Sequence, residues 1–141
     1  MTQVKTITVE GVVHAPIEKV WQCWTEPKHI IGWAFASDDW EAPSAENDIR
    51  IGGKFLTRMS SKDKSAGFDF TGTYTNVKEH ELIEYTMDGD DARKVRIEFV
   101  STADGILVRE SFDIEHENSE EMQRAGWQSI LDNFKKYTES H

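Results

Sequence analysis

Apolar and polar residues alternate from Val4 to Val13, with Ile7, Val9, Gly11 and Val13 on one face and Thr6, Thr8 and Glu10 on the other. That period predicts a half-buried strand. His14-Ala15-Pro16 ends it. Pro16 suits the first turn of a helix, where its missing N–H has no partner to lose. Ile17, Val20, Trp21 and Trp24 then recur at i, i+3, i+4 and i+7, which predicts an amphipathic helix with one buried stripe. Pro27 stops it, and a second short helix is expected from Lys28 to Trp33. Residues 34–49 read as irregular: Ser37, Pro43, Ser44, Asn47 and several acids surround two isolated large rings, Phe35 and Trp40. Such a loop is either pinned to a core or arranged around a ligand, as a lid.

From Ile51 the period returns to two. Ile51, Gly53, Phe55, Thr57 and Met59 share a face, and so do Phe68, Phe70, Gly72 and Tyr74 after a polar hairpin at 60–67. A turn near Lys78-Glu79-His80 leads to the face Ile83, Tyr85, Met87. Asp88-Gly89-Asp90-Asp91 reads as another turn, followed by Val95, Ile97 and Phe99. Asp104-Gly105 marks a tight hairpin before Ile106, Val108, Phe112 and Ile114. The end is helical: Asn118 or Ser119 can cap it, Glu120 and Glu121 favour its first turn, and the helix runs to about Thr138. Met122, Gly126, Trp127, Ile130, Leu131, Phe134 and Tyr137 form its wide apolar stripe. Strands joined by short turns pair antiparallel. One face of that sheet needs a cover, and the long C-terminal helix supplies it. The predicted class is α+β, with two short helices after the first strand.

Composition narrows the function. A chain of 141 residues suits one domain over residues 1–141 and buries enough surface to need no disulfide or metal. Cys23 has no second cysteine to pair with, which suits a reducing compartment. The first residues lack the apolar run of a signal peptide, and no stretch approaches the roughly 18 apolar residues of a membrane span. A cytoplasmic protein is expected. The net charge of −10 repels phosphate backbones and anionic lipid, so neither nucleic acid nor membrane is an expected partner. Against this acidity stand five Trp, seven Phe and three Tyr, whose area must face a core or a cavity.

Several stretches resemble the family of the Hsp90 ATPase activator C-terminal domain, within the START-like (SRPBCC) superfamily. They are His14-Ala15-Pro16-Ile17-Glu18-Lys19-Val20-Trp21, Trp33, Gly52-Gly53-Lys54-Phe55, Phe70-Thr71-Gly72-Thr73-Tyr74, and Gly126-Trp127 with Leu131 and Tyr137. Their order and spacing span nearly the whole chain. The resemblance implies a helix-grip fold, a curved sheet wrapped around the C-terminal helix with a cavity between them. It also implies the small hydrophobic ligands that many relatives bind there. Some branches catalyse reactions on apolar substrates, and the eukaryotic cochaperone carries a separate domain that engages Hsp90.

The residue that carries most chemistry is Glu110. It falls between Val108 and Phe112 in the inward register of the last strand. An inward carboxylate must be paired, hydrogen-bonded or facing a wet cavity. It is therefore either a polar anchor for a ligand hydroxyl or amine, or a side chain turned outward by a bulge or paired with Arg109, Arg58 or Arg96. Trp33, Trp40, Phe55, Met59, Phe70, Tyr74, Tyr85, Phe99, Trp127 and Ile130 are the expected lining around it, each also able to serve as core. Met59, Met87 and Met122 can make the wall adaptable. Trp33 and Trp40 are the expected mouth.

The histidines His14, His29, His80, His116 and His141 form no metal-binding spacing, and no cofactor is expected. Asp88-Gly89-Asp90-Asp91 lacks the ligand series of a calcium loop. Gly52-Gly53 lacks the pattern of a phosphate loop. Cys23 reads as a half-buried structural thiol. The reading favoured by these residues is a non-catalytic carrier or sensor of a small hydrophobic molecule, oriented by Glu110 and Tyr85 or Tyr74. A protein-interaction or cochaperone-like module is one alternative. An enzyme using Glu110 as acid or base on an apolar substrate is another.

Overall fold

The computed structural model describes residues 5–88, 92–115 and 117–141. The start of the first predicted strand at Val4, most of the Asp88-Gly89-Asp90-Asp91 turn and His116 lie outside the described residues. Strand β1 (Thr6–Val13) is followed by helices α1 (Ile17–Thr25) and α2 (Pro27–Ile30). Six strands come next: β2 (Trp40–Asn47), β3 (Lys54–Ser61), β4 (Gly67–Lys78), β5 (Leu82–Met87), β6 (Lys94–Thr102) and β7 (Gly105–Asp113). Helix α3 (Glu120–Ser140) closes the chain.

The strands form one antiparallel sheet in the order β1-β7-β6-β5-β4-β3-β2. Each hairpin strand lies beside its predecessor, and β1 returns to pair with β7. The sheet curls into a half-barrel around α3, the helix-grip arrangement. Its concave face carries the period-two residues: Ile7 and Val9, Ile83 and Met87, Val95 and Ile97, Val108 and Phe112, all buried. Each such large side chain contributes about 1.5–3 kcal/mol by leaving water. From α3, Leu131 and Phe134 enter this core, while Trp127 and Ile130 pack on it with partial exposure. Ser119 caps α3 by accepting the Met122 N–H at 3.1 Å. That satisfies one of the helix's orphan donors.

Two expectations need correction. Residues 40–47 are not loop but the edge strand β2, whose register shifts between Glu41 and Ser44. The pattern is masked because an edge strand tolerates polar residues and a proline at a bulge, and Pro43 sits in that shift. Met122 belongs to the helical stripe by spacing, yet it is 64% exposed, and it borders the cavity described below instead of entering the core.

Gly72 marks a close approach that shapes the concave wall. A Cβ there would lie 2.7 Å from the Phe55 ring and 2.9 Å from the Thr86 carbonyl. The missing side chain lets Phe55, its partner across β3 and β4, lie down over the strand.

Candidate functional site

A cavity of about 420 Å³ lies between the concave face, α2 and the N-terminal half of α3. This falls within the range of about 300–1,000 Å³ typical of small-molecule sites. Its wall is largely aromatic: Trp24, Trp33, Phe55, Phe70, Tyr85 and Trp127 all line it. The rings hold one another in place. Trp127 stacks on Phe112 with centroids 4.1 Å apart and planes 11° from parallel, and its other neighbour is the edge of Phe70 at 6.3 Å. Phe55 meets Tyr85 edge-on at 4.8 Å. Trp33 donates its indole N–H to the Cys23 carbonyl at 2.8 Å, which fixes it against α1. Aromatic pairs of this kind contribute about 0.5–1.5 kcal/mol beyond their area, so the wall is preorganised.

Glu110 is the exception in this lining. It sits mid-strand in β7, paired with Val9 on one side and Ile97 on the other, and is only 5% exposed. The three arginines expected as its possible partners are committed elsewhere, on the outer face. Arg109 bonds Glu10 at 3.2 Å, Arg58 bonds Asp69 at 3.3 Å, and Arg96 bonds Glu84 and Glu98 at 3.2 and 3.4 Å. Glu110 makes no hydrogen bond or ion pair with a described residue. Burial alone raises its carboxyl to about 8, so it is mostly protonated at neutral pH. Tyr85 is pushed well above the usual phenol range, first by burial and then by the Glu110 charge.

Arg93 also borders the cavity, as do Thr57 and, near the mouth, Glu115, Asn118 and Gln123. Gln123 ties that corner together, accepting from the Glu115 N–H and donating to the carbonyls of Glu115 and Asn118. Phe68 and Met122, 49% and 64% exposed, flank the opening.

The structure therefore brings Trp33, Phe55, Met59, Phe70, Tyr85, Glu110, Trp127 and Ile130 together around one space. It places three expected lining residues elsewhere. Phe99 packs under α1 against Trp21 and Trp24 at 5.5 and 5.9 Å, because β6 at that level is covered by α1. Tyr74 turns toward the sheet edge and donates its hydroxyl to Asn47, which in turn donates to the Thr25 carbonyl at 2.7 Å. Trp40, on β2, lies 6.2 Å from Phe68 and backs the rim without lining the cavity. The segment expected as a lid over 34–49 is thus half strand.

Residues 14–139 match the family described as activator of Hsp90 ATPase homolog 1-like protein. The chain belongs to that family. Among solved members, an AHSA1-like protein from Aeromonas hydrophila is 43% identical with a TM-score of 0.89, the match covering 96% of this chain and 93% of that one. A Cytophaga hutchinsonii protein is 52% identical with a TM-score of 0.81, covering 96% and 92%. A Nitrosomonas europaea protein at 19% identity and TM-score 0.84, covering 99% of each chain, shares the fold. Curated proteins yield no match.

For this member of the activator of Hsp90 ATPase homolog 1-like family, several lining residues escaped the sequence reading. Trp24 was legible only as part of the α1 stripe. Arg93, Glu115, Asn118 and Gln123 lie outside or at the ends of the periodic segments, where alternation carries no signal. Among the described residues, no group of three or more His, Cys, Asp or Glu is placed to hold a metal. No described helix is long and apolar enough to cross a membrane.

Proposed function

We propose that this protein binds a small, mostly apolar molecule in the cavity between the sheet and α3, as a non-catalytic carrier or sensor. The observation that carries this reading is Glu110: a buried carboxyl with no described protein partner, set in the wall of an aromatic cavity. A polar group so placed costs stability. A bound molecule that meets it offsets that cost, while the surrounding rings supply apolar burial. An acid–base role is less well supported, because among the described residues no His or Lys lines the cavity beside Glu110.

The test is native mass spectrometry of the purified protein, with denaturing extraction of any adduct, alongside titration with the neutral apolar fluorophore N-phenyl-1-naphthylamine. A stoichiometric apolar adduct, or saturable fluorescence enhancement, is the expected result. A bare protein mass together with no enhancement would remove the reading and favour a protein-interaction module.

A further inference from the structure

Glu110 and Tyr85 face the cavity from the same concave surface. Glu110 lies opposite Ile97 and Tyr85 opposite Val95, so the two side chains leave β7 and β5 on either side of β6. Both are buried, and neither makes a hydrogen bond to a described residue. They share the cavity wall with the guanidinium of Arg93, a group that can only donate. The other titratable group in the lining is Glu115, near the mouth; β1, β3, β4 and the helices add none among the described residues. Resting on the cavity-binding reading above, we infer that the site takes neutral apolar molecules bearing an acceptor oxygen of the carbonyl class, held by the O–H groups of Glu110 and Tyr85.

The chemistry favours an acceptor over a cation. Burial keeps Glu110 protonated up to about pH 8, so at neutral pH it presents a donor, as does the phenol of Tyr85. A neutral carboxyl next to a phenol in an apolar site is suited to receive a carbonyl or enolate oxygen. An ammonium ligand would require Glu110 to ionise against its own desolvation. A hydrocarbon would leave both donors unmet, the costly case for buried polar groups.

Three probes of one skeleton separate these cases: 2-acetylnaphthalene, 2-ethylnaphthalene and 1-(2-naphthyl)ethylamine, titrated by NMR chemical-shift change. The ketone is expected to bind about tenfold tighter than the hydrocarbon at neutral pH, the worth of one good hydrogen bond. That preference falls in the parent protein as pH rises through about 8 and the carboxylate forms. Glu110→Gln, which keeps an N–H donor but does not titrate, retains the preference at high pH. Tyr85→Phe loses part of it at every pH. Equal binding of ketone and hydrocarbon overturns the inference and leaves the cavity reading intact. Preference for the amine, growing with pH, also overturns it. If none of the three shifts the cavity resonances, the cavity reading falls and the inference with it.

Discussion

Replacing Glu110 by Gln should stabilise the protein, and more so as pH rises. The folded carboxyl titrates at about 8 against an ordinary 4.5. Between those values the folded chain holds a proton that the unfolded chain has released, so unfolding stability falls as pH increases. The contribution is fully present below about 4.5 and is lost once pH passes about 8. At about 1.4 kcal/mol per pH unit, the accumulated loss is about 3 kcal/mol at pH 7 and at most about 5 kcal/mol above pH 8. The neutral amide of Gln has a similar shape and carries no such proton linkage. The variant should therefore match the parent near pH 4.5 and exceed it by about 3 kcal/mol at pH 7, a rise in Tm on the order of 10 °C for a chain of this size. The assay is urea unfolding followed by tryptophan fluorescence, on both proteins, across pH 5 to pH 9. The difference between the two curves isolates Glu110 from the other carboxylates. A difference that is flat with pH, or a parent that gains on the variant as pH rises, would show that Glu110 is ionised and paired, and would refute the reasoning.

Other substitutions probe the cavity and its scaffold. Gly126 lines the cavity from α3, and a Cβ there meets nothing within 4 Å. Gly126→Leu should raise helix stability by about 1 kcal/mol while filling the space, so it keeps its circular dichroism and loses N-phenyl-1-naphthylamine binding. Gly72→Ala should cost about 1–3 kcal/mol in urea unfolding, because the new methyl meets the Phe55 ring and a backbone carbonyl under 3.0 Å away. Ser119→Ala removes the cap that accepts the Met122 N–H and should lower stability by about 1 kcal/mol in the same assay.

The sequence by itself determined the strand phases, the long amphipathic C-terminal helix and the inward register of Glu110. All three follow from local periodicity: Val108, Glu110 and Phe112 share a face whatever lies above them, since side chains alternate strictly along a strand. It also carried the family, because its motifs run along nearly the whole chain. It did not reveal β2, since an edge strand bonded on one side and bulged at Pro43 needs no apolar alternation. Nor did it tell cavity from core. Phe55 and Phe99 have the same kind of inward position, yet Phe99 is covered by Trp21 and Trp24 while Phe55 faces open space. Which inward residue meets a helix and which meets a void depends on how far the sheet curls and where α1 and α3 cross it. Likewise, only the folded arrangement sends Arg58, Arg96 and Arg109 to acidic partners on the outer face and leaves Glu110 in the cavity wall without an ion pair to any of them. Periodicity fixes the side of the sheet on which a residue lies; the partner across the gap is a long-range fact, and it is set by packing.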